Sequence, residues 1–116
     1  MNCSSFKQGE IVVAQILYSE QIGIKTRPAL VISNSRFNEN SDDLILLKVT
    51  SKSKRTGYDV QLTNKDVEEG ELRAESQIMV DNPVTTYKEM IQAKIGKISA
   101  QKLKEVKQKI KELYEL

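Results

Sequence analysis

Stretches of aliphatic and β-branched residues recur along the first hundred residues, separated by short polar segments. Apolar runs of this length, alternating or continuous, are typical of β-strands. The predicted strands are 9–18, 27–33, 44–51, 58–62, 76–80 and 93–98. The third of them, LILLKVTS, is apolar on both faces over its first half, which predicts a central strand.

The segments between these strands carry turn-forming residues. The polar loop 19–26 contains a glycine and predicts a hairpin-sized connection. Asn, Ser and Asp dominate 34–43, which predicts a turn, and 52–57 is expected to be an exposed basic turn. Residues 63–72 begin with Thr-Asn and contain a glycine, a pattern sufficient for one helical turn.

Both prolines predict strand boundaries. Pro28 has no N–H to donate to a ladder, so it is expected only at the first position of the second strand. Asp81, Asn82 and Pro83 form a turn signal that is expected to end the fifth strand.

The apolar period changes from two to about 3.6 residues in the last segment. Apolar side chains recur there at spacings of three, four and three, at Leu103, Val106, Ile110 and Leu113. Ser99 is the expected N-cap, and Glu105 precedes Lys109 by four residues, the favourable order for an ion pair. We interpret the remaining lysines as the solvated face of this helix. The whole chain, 1–116, is therefore predicted to be one mainly β domain of five to seven strands, with short helical turns and one C-terminal α-helix.

Composition excludes several kinds of chemistry. The chain has no histidine and one cysteine, Cys3, which removes histidine-based acid–base catalysis, the Ser-His-Asp triad and zinc centres. It has no phosphate-binding glycine motif, so neither a nucleotide cofactor nor a metal is expected. No apolar run approaches the ~20 residues of a membrane span, and the N-terminus has no signal core, so a cytoplasmic protein without membrane contact is expected.

Charge is segregated although the net charge is only +2. Residues 25–55 contain seven basic and three acidic groups, whereas 64–81 contain six acidic and two basic groups. One positive face would attract a phosphate backbone. Two solvated loops of opposite sign would give the same pattern, and charge alone does not decide between these alternatives.

Arg27 is the first candidate for chemistry. The residue before a proline is held extended, and a guanidinium offers a planar fork of donors that suits phosphate oxygens. Taken alone, this arginine fits an ion pair at the strand edge as well as a ligand site. Thr50 and Ser51, where the third strand enters the basic turn, provide hydroxyl groups that could donate to a phosphate oxygen.

The order of several segments resembles the MazF/PemK-like toxins, the toxin halves of type II toxin–antitoxin systems. The resemblance runs from about Lys7 to Leu113, and RPALVIS after a Glu-Gln loop is its most specific part. The matching segments are GEI (9–11), SEQ…RPALVIS (19–33), VTS (49–51), GEL…SQI (70–78) and KIGKIS (94–99).

This resemblance implies a small SH3-like β-barrel of the CcdB/MazF type that acts as a homodimer. It implies metal-independent, sequence-specific cleavage of single-stranded RNA, the activity of an mRNA interferase, and neutralisation by an acidic antitoxin. By position, Arg27 and Thr50 match the catalytic residues. The residues expected to contact RNA are Glu20, Gln21, Lys25, Ser51, Lys52, Lys54 and Asp81.

The chain also departs from the family pattern. Met79 stands where some members have an arginine, Val84–Tyr87 replace an Arg-Thr-Ile-Asp segment, and the histidine of the first loop is missing. These departures leave two alternatives open. The chain could be a degenerate toxin-fold module that binds RNA or a protein without cutting, or a toxin that acts on a protein, as the gyrase-poisoning relatives of this fold do.

Overall fold

The computed structural model describes residues 5–17, 24–52 and 56–116. Its seven antiparallel strands form one sheet with the order β4-β6-β3-β2-β1-β7-β5. The elements are β1 Glu10–Leu17, β2 Ile24–Val31, α1 Ser35–Asn40, β3 Asp43–Thr50, β4 Asp59–Leu62, β5 Val67–Gly70, β6 Ser76–Tyr87, β7 Ile91–Ile98 and α2 Ala100–Tyr114. The predicted fold class, mainly β with one C-terminal helix, is confirmed.

Successive residues of a strand point to opposite sides of the sheet. Because several strands carry apolar residues at successive positions, both faces of the sheet are apolar. The helix-side core lies under α2 and contains Ile11, Leu30, Leu47, Val49, Val60, Leu62, Ile78, Val80, Ile98 and Val106. The Phe6-side core lies on the other face and contains Phe6, Val12, Ala14, Ile16, Ala29, Val31, Leu44 and Leu46. β3 contributes to both cores between β2 and β6, so its predicted central position is confirmed.

The second strand begins earlier than expected, and the predicted role of Pro28 as its first residue is wrong. β2 starts at Ile24, so Pro28 is its fifth residue and lies opposite Val13 of β1. On its other side, the ladder to β3 begins only at the next residue, Ala29 opposite Lys48. The missing N–H of Pro28 is tolerated because only β1 pairs with β2 at this position.

Where a turn was predicted over 34–43, the chain forms the short helix α1. The side chain of Asn34 caps it by accepting from the Phe37 N–H at 2.8 Å. Asn38 is the fully buried residue of α1. Its side chain accepts from the Ser33 hydroxyl at 2.5 Å and donates to the Phe6 carbonyl at 2.9 Å and the Ser33 carbonyl at 3.0 Å. This buried polar network ties the N-terminal segment, α1 and the end of β2 together.

The expected turn at Asp81–Pro83 does not end a strand. β6 runs through these residues to Tyr87 and absorbs them in an irregularity of its pairing with β3. The predicted helical turn over 63–72 is correct only for 64–66, a 3-10 turn that is followed by the edge strand β5.

The C-terminal helix agrees with the apolar period of the sequence. Ser99 caps α2 by accepting from the Lys102 N–H at 3.1 Å. The expected ion pair between Glu105 and Lys109 is replaced by Lys102–Glu105 at 2.9 Å and a second pair, Lys109–Glu112, at 3.3 Å. Within the described ranges, no helix is long and apolar enough to cross a membrane.

Candidate active site

Arg27 and Thr50 lie on neighbouring strands, each two residues beyond the end of the ladder that joins β2 to β3. The antiparallel ladder between β2 and β3 pairs Ala29 with Lys48. The ladder ends at this pair, and its register, if extended by two residues, would align Arg27 of β2 with Thr50, the last residue of β3. The two residues are 23 positions apart in the sequence, and the pairing of β2 with β3 puts their strands side by side.

Both side chains lie on the same face of the sheet. Ala29 and Leu46 contribute to the Phe6-side core, so the alternation of each strand directs Arg27 and Thr50 to that face too. The core ends where these polar residues begin, and Arg27 is exposed while Thr50 is half-buried. The apolar cluster is thus a rigid base for a polar surface at the end of β2 and β3.

Arg27 is anchored by its strand although its side chain reaches solvent. It pairs with the fully buried Ala14 of β1. Its Nη1 lies 3.5 Å from the carbonyl oxygen of Thr26, at the long limit of a hydrogen bond. A guanidinium presents five N–H donors in a planar fork, a geometry that suits phosphate oxygens.

The hydroxyl of Thr50 is oriented by the turn that follows β3. Its Oγ1 accepts from the Lys52 N–H at 3.2 Å. A hydroxyl has one proton to donate and two acceptor positions. This turn bond uses an acceptor position and does not involve the proton of the Thr50 hydroxyl.

The other predicted RNA contacts fall into three groups. Ser51 and Lys52 are exposed directly beyond Thr50. Lys25 lies in β2 opposite Ile16, and only its backbone position is described. Glu20, Gln21 and Lys54 lie outside the described residues.

Asp81 lies in the irregular part of β6 rather than in a loop. Leu47 pairs with Pro83 and Val49 with Ile78, so four residues of β6, 79–82, face the single intervening residue, Lys48 of β3. Such an irregularity bends a strand and redirects its side chains. Asp81 is exposed within this irregularity, and Lys48 is the residue of β3 that faces it.

Asp59 is a residue that the sequence pattern did not single out. It opens β4 opposite Met79 of β6 and is only 7% exposed. Alternation along YDVQL places it away from the buried Val60 and Leu62, a position expected to be solvated. Its partner Met79 is the residue at which β6 departs from the β3 ladder.

The site is an open surface. A shallow groove on the molecule is lined by Ile16, Val84, Tyr87 and Met90 together with Gln15, Asp43, Thr85 and Thr86, and it contains none of the predicted site residues. In the described part of the chain, no cluster of three or more Cys, Asp or Glu side chains could hold a metal ion.

Solved structures of similar fold define the class to which this architecture belongs. An endoribonuclease from a Mycobacterial species has a TM-score of 0.78 at 16% identity, with 100% of this chain and 95% of that chain covered. The MazE–MazF structure (Form III) from Deinococcus radiodurans has a TM-score of 0.78 at 22% identity, with coverages of 97% and 98%. The Mycobacterium tuberculosis toxin MazF-mt6 has a TM-score of 0.76 at 18% identity, with coverages of 92% and 97%. The fold is therefore that of the MazF-type toxins.

Family membership rests on the sequence itself. The model of the PemK-like, MazF-like toxins of type II toxin–antitoxin systems matches residues 7–114, and the chain belongs to this family. This match confirms the resemblance recognised from the segment order. No curated protein sequence matches the chain.

Proposed function

We propose that this protein is the toxin of a type II toxin–antitoxin system and that it cleaves single-stranded RNA at specific sequences without a metal ion. The observation that supports the proposal is the alternation of β2 and β3, which directs Arg27 and Thr50 to the same face of the sheet. Family membership over residues 7–114 gives this pair its context.

The RNA supplies its own nucleophile in the proposed reaction. The 2′-hydroxyl loses its proton, and its oxygen forms a bond to the adjacent phosphorus. The P–O5′ bond then breaks, and the leaving 5′ oxygen takes up a proton. The products are a 2′,3′-cyclic phosphate and a 5′-hydroxyl. A protein without histidine can promote this step by positioning the strand and stabilising the charge that builds on the phosphorane.

Arg27 and Thr50 have distinct roles in this scheme. The guanidinium of Arg27 binds non-bridging oxygens of the scissile phosphate and stabilises their growing charge. The hydroxyl of Thr50 donates to a non-bridging oxygen of the same phosphate, since its acceptor side is held by the Lys52 N–H. Both residues belong to adjacent strands of the sheet, and donors positioned before the substrate arrives would need little reorganisation during the reaction.

An extended single strand is the substrate that suits an open surface. The predicted contacts Ser51 and Lys52 continue from Thr50 into the following turn, in line to hold the backbone beside the scissile phosphate. Unstacked bases of a single strand present their edges for recognition, whereas a duplex hides them. Sequence specificity would come from the loops that border this surface.

The proposed partners follow from the same surface. Two solved structures of similar fold are an endoribonuclease with its cognate antitoxin from a Mycobacterial species and a MazE–MazF structure from Deinococcus radiodurans. We expect an acidic antitoxin segment to compete with RNA for the basic end of β2 and β3. A homodimer acting in the cytoplasm is also part of the proposal.

A cleavage assay tests the proposal. A mixed-sequence single-stranded RNA is incubated with excess protein in EDTA, and single-turnover rates are measured for the wild type, Arg27→Ala and Arg36→Ala. Arg36 is an exposed arginine of α1 and gives the same change in charge away from β2. We expect the wild type and Arg36→Ala to cut at equal rates and Arg27→Ala to be at background. Equal rates for all three variants would refute the proposal.

The degenerate binding module remains the second candidate because of Met79. This residue lies at the start of the irregularity in β6, opposite Asp59, where some family members have a cation. A thioether supplies no charge to a phosphorane. RNA binding that is tight and salt-sensitive, with no products in the assay above, would favour this candidate.

A further inference from the structure

The lysines of α2 divide into two groups that the sequence alone did not separate. On one flank, Lys102 pairs with Glu105 at 2.9 Å and with Asp66 at 3.7 Å, and Lys109 pairs with Glu112 at 3.3 Å. Asp66 belongs to the 3-10 turn 64–66, so Lys102 lies next to that turn. The positive charge on this flank is therefore neutralised.

The second group forms a separate stripe along the outer side of the helix. Lys104, Lys107 and Lys111 are all exposed, and no carboxylate of residues 5–17, 24–52 or 56–116 pairs with them. At 3.6 residues per turn they lie within about 60° of one another and span about 10 Å of the helix axis. We call these three residues the lysine stripe.

Helix stability does not explain the lysine stripe. Like charges three and four residues apart repel each other, and Lys107 and Lys111 have this spacing. A cation near the C-terminus favours the helix dipole, which accounts for Lys111 but not for Lys104 in the N-terminal half. The three lysines therefore repel one another slightly in the isolated protein. A polyanion bound along the lysine stripe would remove this repulsion.

An exposed aromatic ring extends the lysine stripe by one helical turn. Tyr114 follows Lys111 by three residues and is 55% exposed. Rows of cations with an aromatic ring beside them are suited to single-stranded nucleic acid, because the amines meet phosphates and the ring stacks on a base. An acidic peptide would use the amines but would gain little from the ring.

We propose that the lysine stripe and Tyr114 form a second RNA-binding surface, which holds the chain of a single-stranded RNA outside the cleavage site without reading its sequence. The inference rests on the proposed function only in taking this RNA to be a substrate. Phosphate contacts of this kind give affinity and position but no base specificity. Long substrates would therefore bind better than short ones that carry the same cleavage sequence.

Binding of an uncleavable strand tests the surface independently of catalysis. The probe is a fluorescent 20-nucleotide 2′-O-methyl oligouridine, which has no 2′-hydroxyl to attack, and its affinity is measured by anisotropy over a salt series. We expect the triple variant Lys104→Gln, Lys107→Gln, Lys111→Gln to bind more weakly. The slope of log K against log[salt] should fall by about 2, since each phosphate contact of a single strand contributes about 0.7.

A matched triple variant controls for net charge. Lys65→Gln, Lys88→Gln, Lys109→Gln removes the same three charges outside the lysine stripe, and we expect it to keep the wild-type slope. Gln and Lys have similar helix propensities, so both variants are expected to fold. Equal slopes for the wild type and the stripe variant would overturn the proposal. Activity on a short RNA should be unchanged in the stripe variant, which separates this result from the Arg27 test.

Tyr114→Leu and polyglutamate distinguish RNA from an acidic peptide. The substitution should weaken RNA binding roughly fivefold without changing the salt slope, because it removes stacking and no charge. Polyglutamate of equal charge should bind less tightly than the oligonucleotide and should not respond to the substitution. Equal affinity for both polyanions, with neither affected by Tyr114→Leu, would identify an acidic-peptide surface and overturn the RNA assignment.

Discussion

Replacing Thr50 by valine is the sharpest test of how the hydroxyl at the end of β3 acts. Valine has nearly the shape of threonine and favours strands equally, so the change removes the hydroxyl and little else. The lost turn bond joins Oγ1 to the Lys52 N–H at 3.2 Å and is exposed. Water can replace it, so the free energy of unfolding should fall by less than about 1 kcal/mol.

The effect on cleavage should be much larger than the effect on stability. In the proposed mechanism the hydroxyl proton of Thr50 meets a phosphorane oxygen whose charge grows in the transition state. A hydrogen bond to a charged group contributes about 1.5–3 kcal/mol, which corresponds to roughly a 10- to 150-fold loss of rate. The loss should appear in the single-turnover rate constant, with little change in the affinity for uncleaved RNA.

Two further variants isolate the hydroxyl. Thr50→Ser retains it and should recover most of the rate lost in Thr50→Val. Thr56→Val removes a comparable turn bond, from the Tyr58 N–H to Thr56 Oγ1 at 3.1 Å, and serves as the control in urea unfolding. A Thr50→Val rate within twofold of the wild type would refute the proposed role, as would a serine variant no faster than the valine variant.

Two predictions concern the scaffold. Asn38→Ala leaves two buried carbonyls and the Ser33 hydroxyl without their partner and should lower the free energy of unfolding in urea by about 3–5 kcal/mol. Asn40→Ala loses one exposed bond on the same helix and should lower the free energy of unfolding by less than about 1 kcal/mol. Equal losses for the two variants would show that the buried network does not contribute to stability. Gly70→Ala should destabilise by about 2–5 kcal/mol, because φ is +87° and an added Cβ would lie 2.0 Å from a backbone oxygen of β7. Gly57→Ala, where a Cβ meets open space, is its control, and similar melting temperatures for the two glycine variants would contradict the model of β5 and β7.

The apolar patterns that extend over a whole strand or helix were sufficient to predict β3 and α2. The continuous apolar run of β3 predicted a strand buried on both faces, and this strand contributes to both cores. The stripe from Leu103 to Leu113 predicted α2, which packs on the helix-side core. In each case the burial pattern follows directly from the period of the element.

Local signals failed where distant contacts decide the structure. The Asn- and Ser-rich segment 34–43 is typical of a turn, yet Asn38 is buried and bonded to Phe6, 32 residues earlier, which stabilises α1. The Asp-Asn-Pro signal at 81–83 was overridden because β3 continues to pair with the second half of β6. Neither partner can be identified from a window of a few residues.

The candidate site shows the same division. Proline predicted an extended Arg27, and the end of an apolar run predicted an accessible Thr50. No local pattern specifies that β2 pairs with β3, and it was the family resemblance that linked the two residues. The burial of Asp59 was missed because alternation along YDVQL places it on the face opposite the buried Val60 and Leu62.

The central claim is that Arg27 and Thr50 act on one phosphate, and a double-mutant cycle tests it most directly. Single-turnover rates in EDTA are measured for the wild type, Arg27→Ala, Thr50→Val and the double variant. Residues that stabilise the same charge are not independent, so the double variant should lose clearly less than the product of the two single losses. A double loss equal to that product would contradict a shared phosphate at the end of β2 and β3.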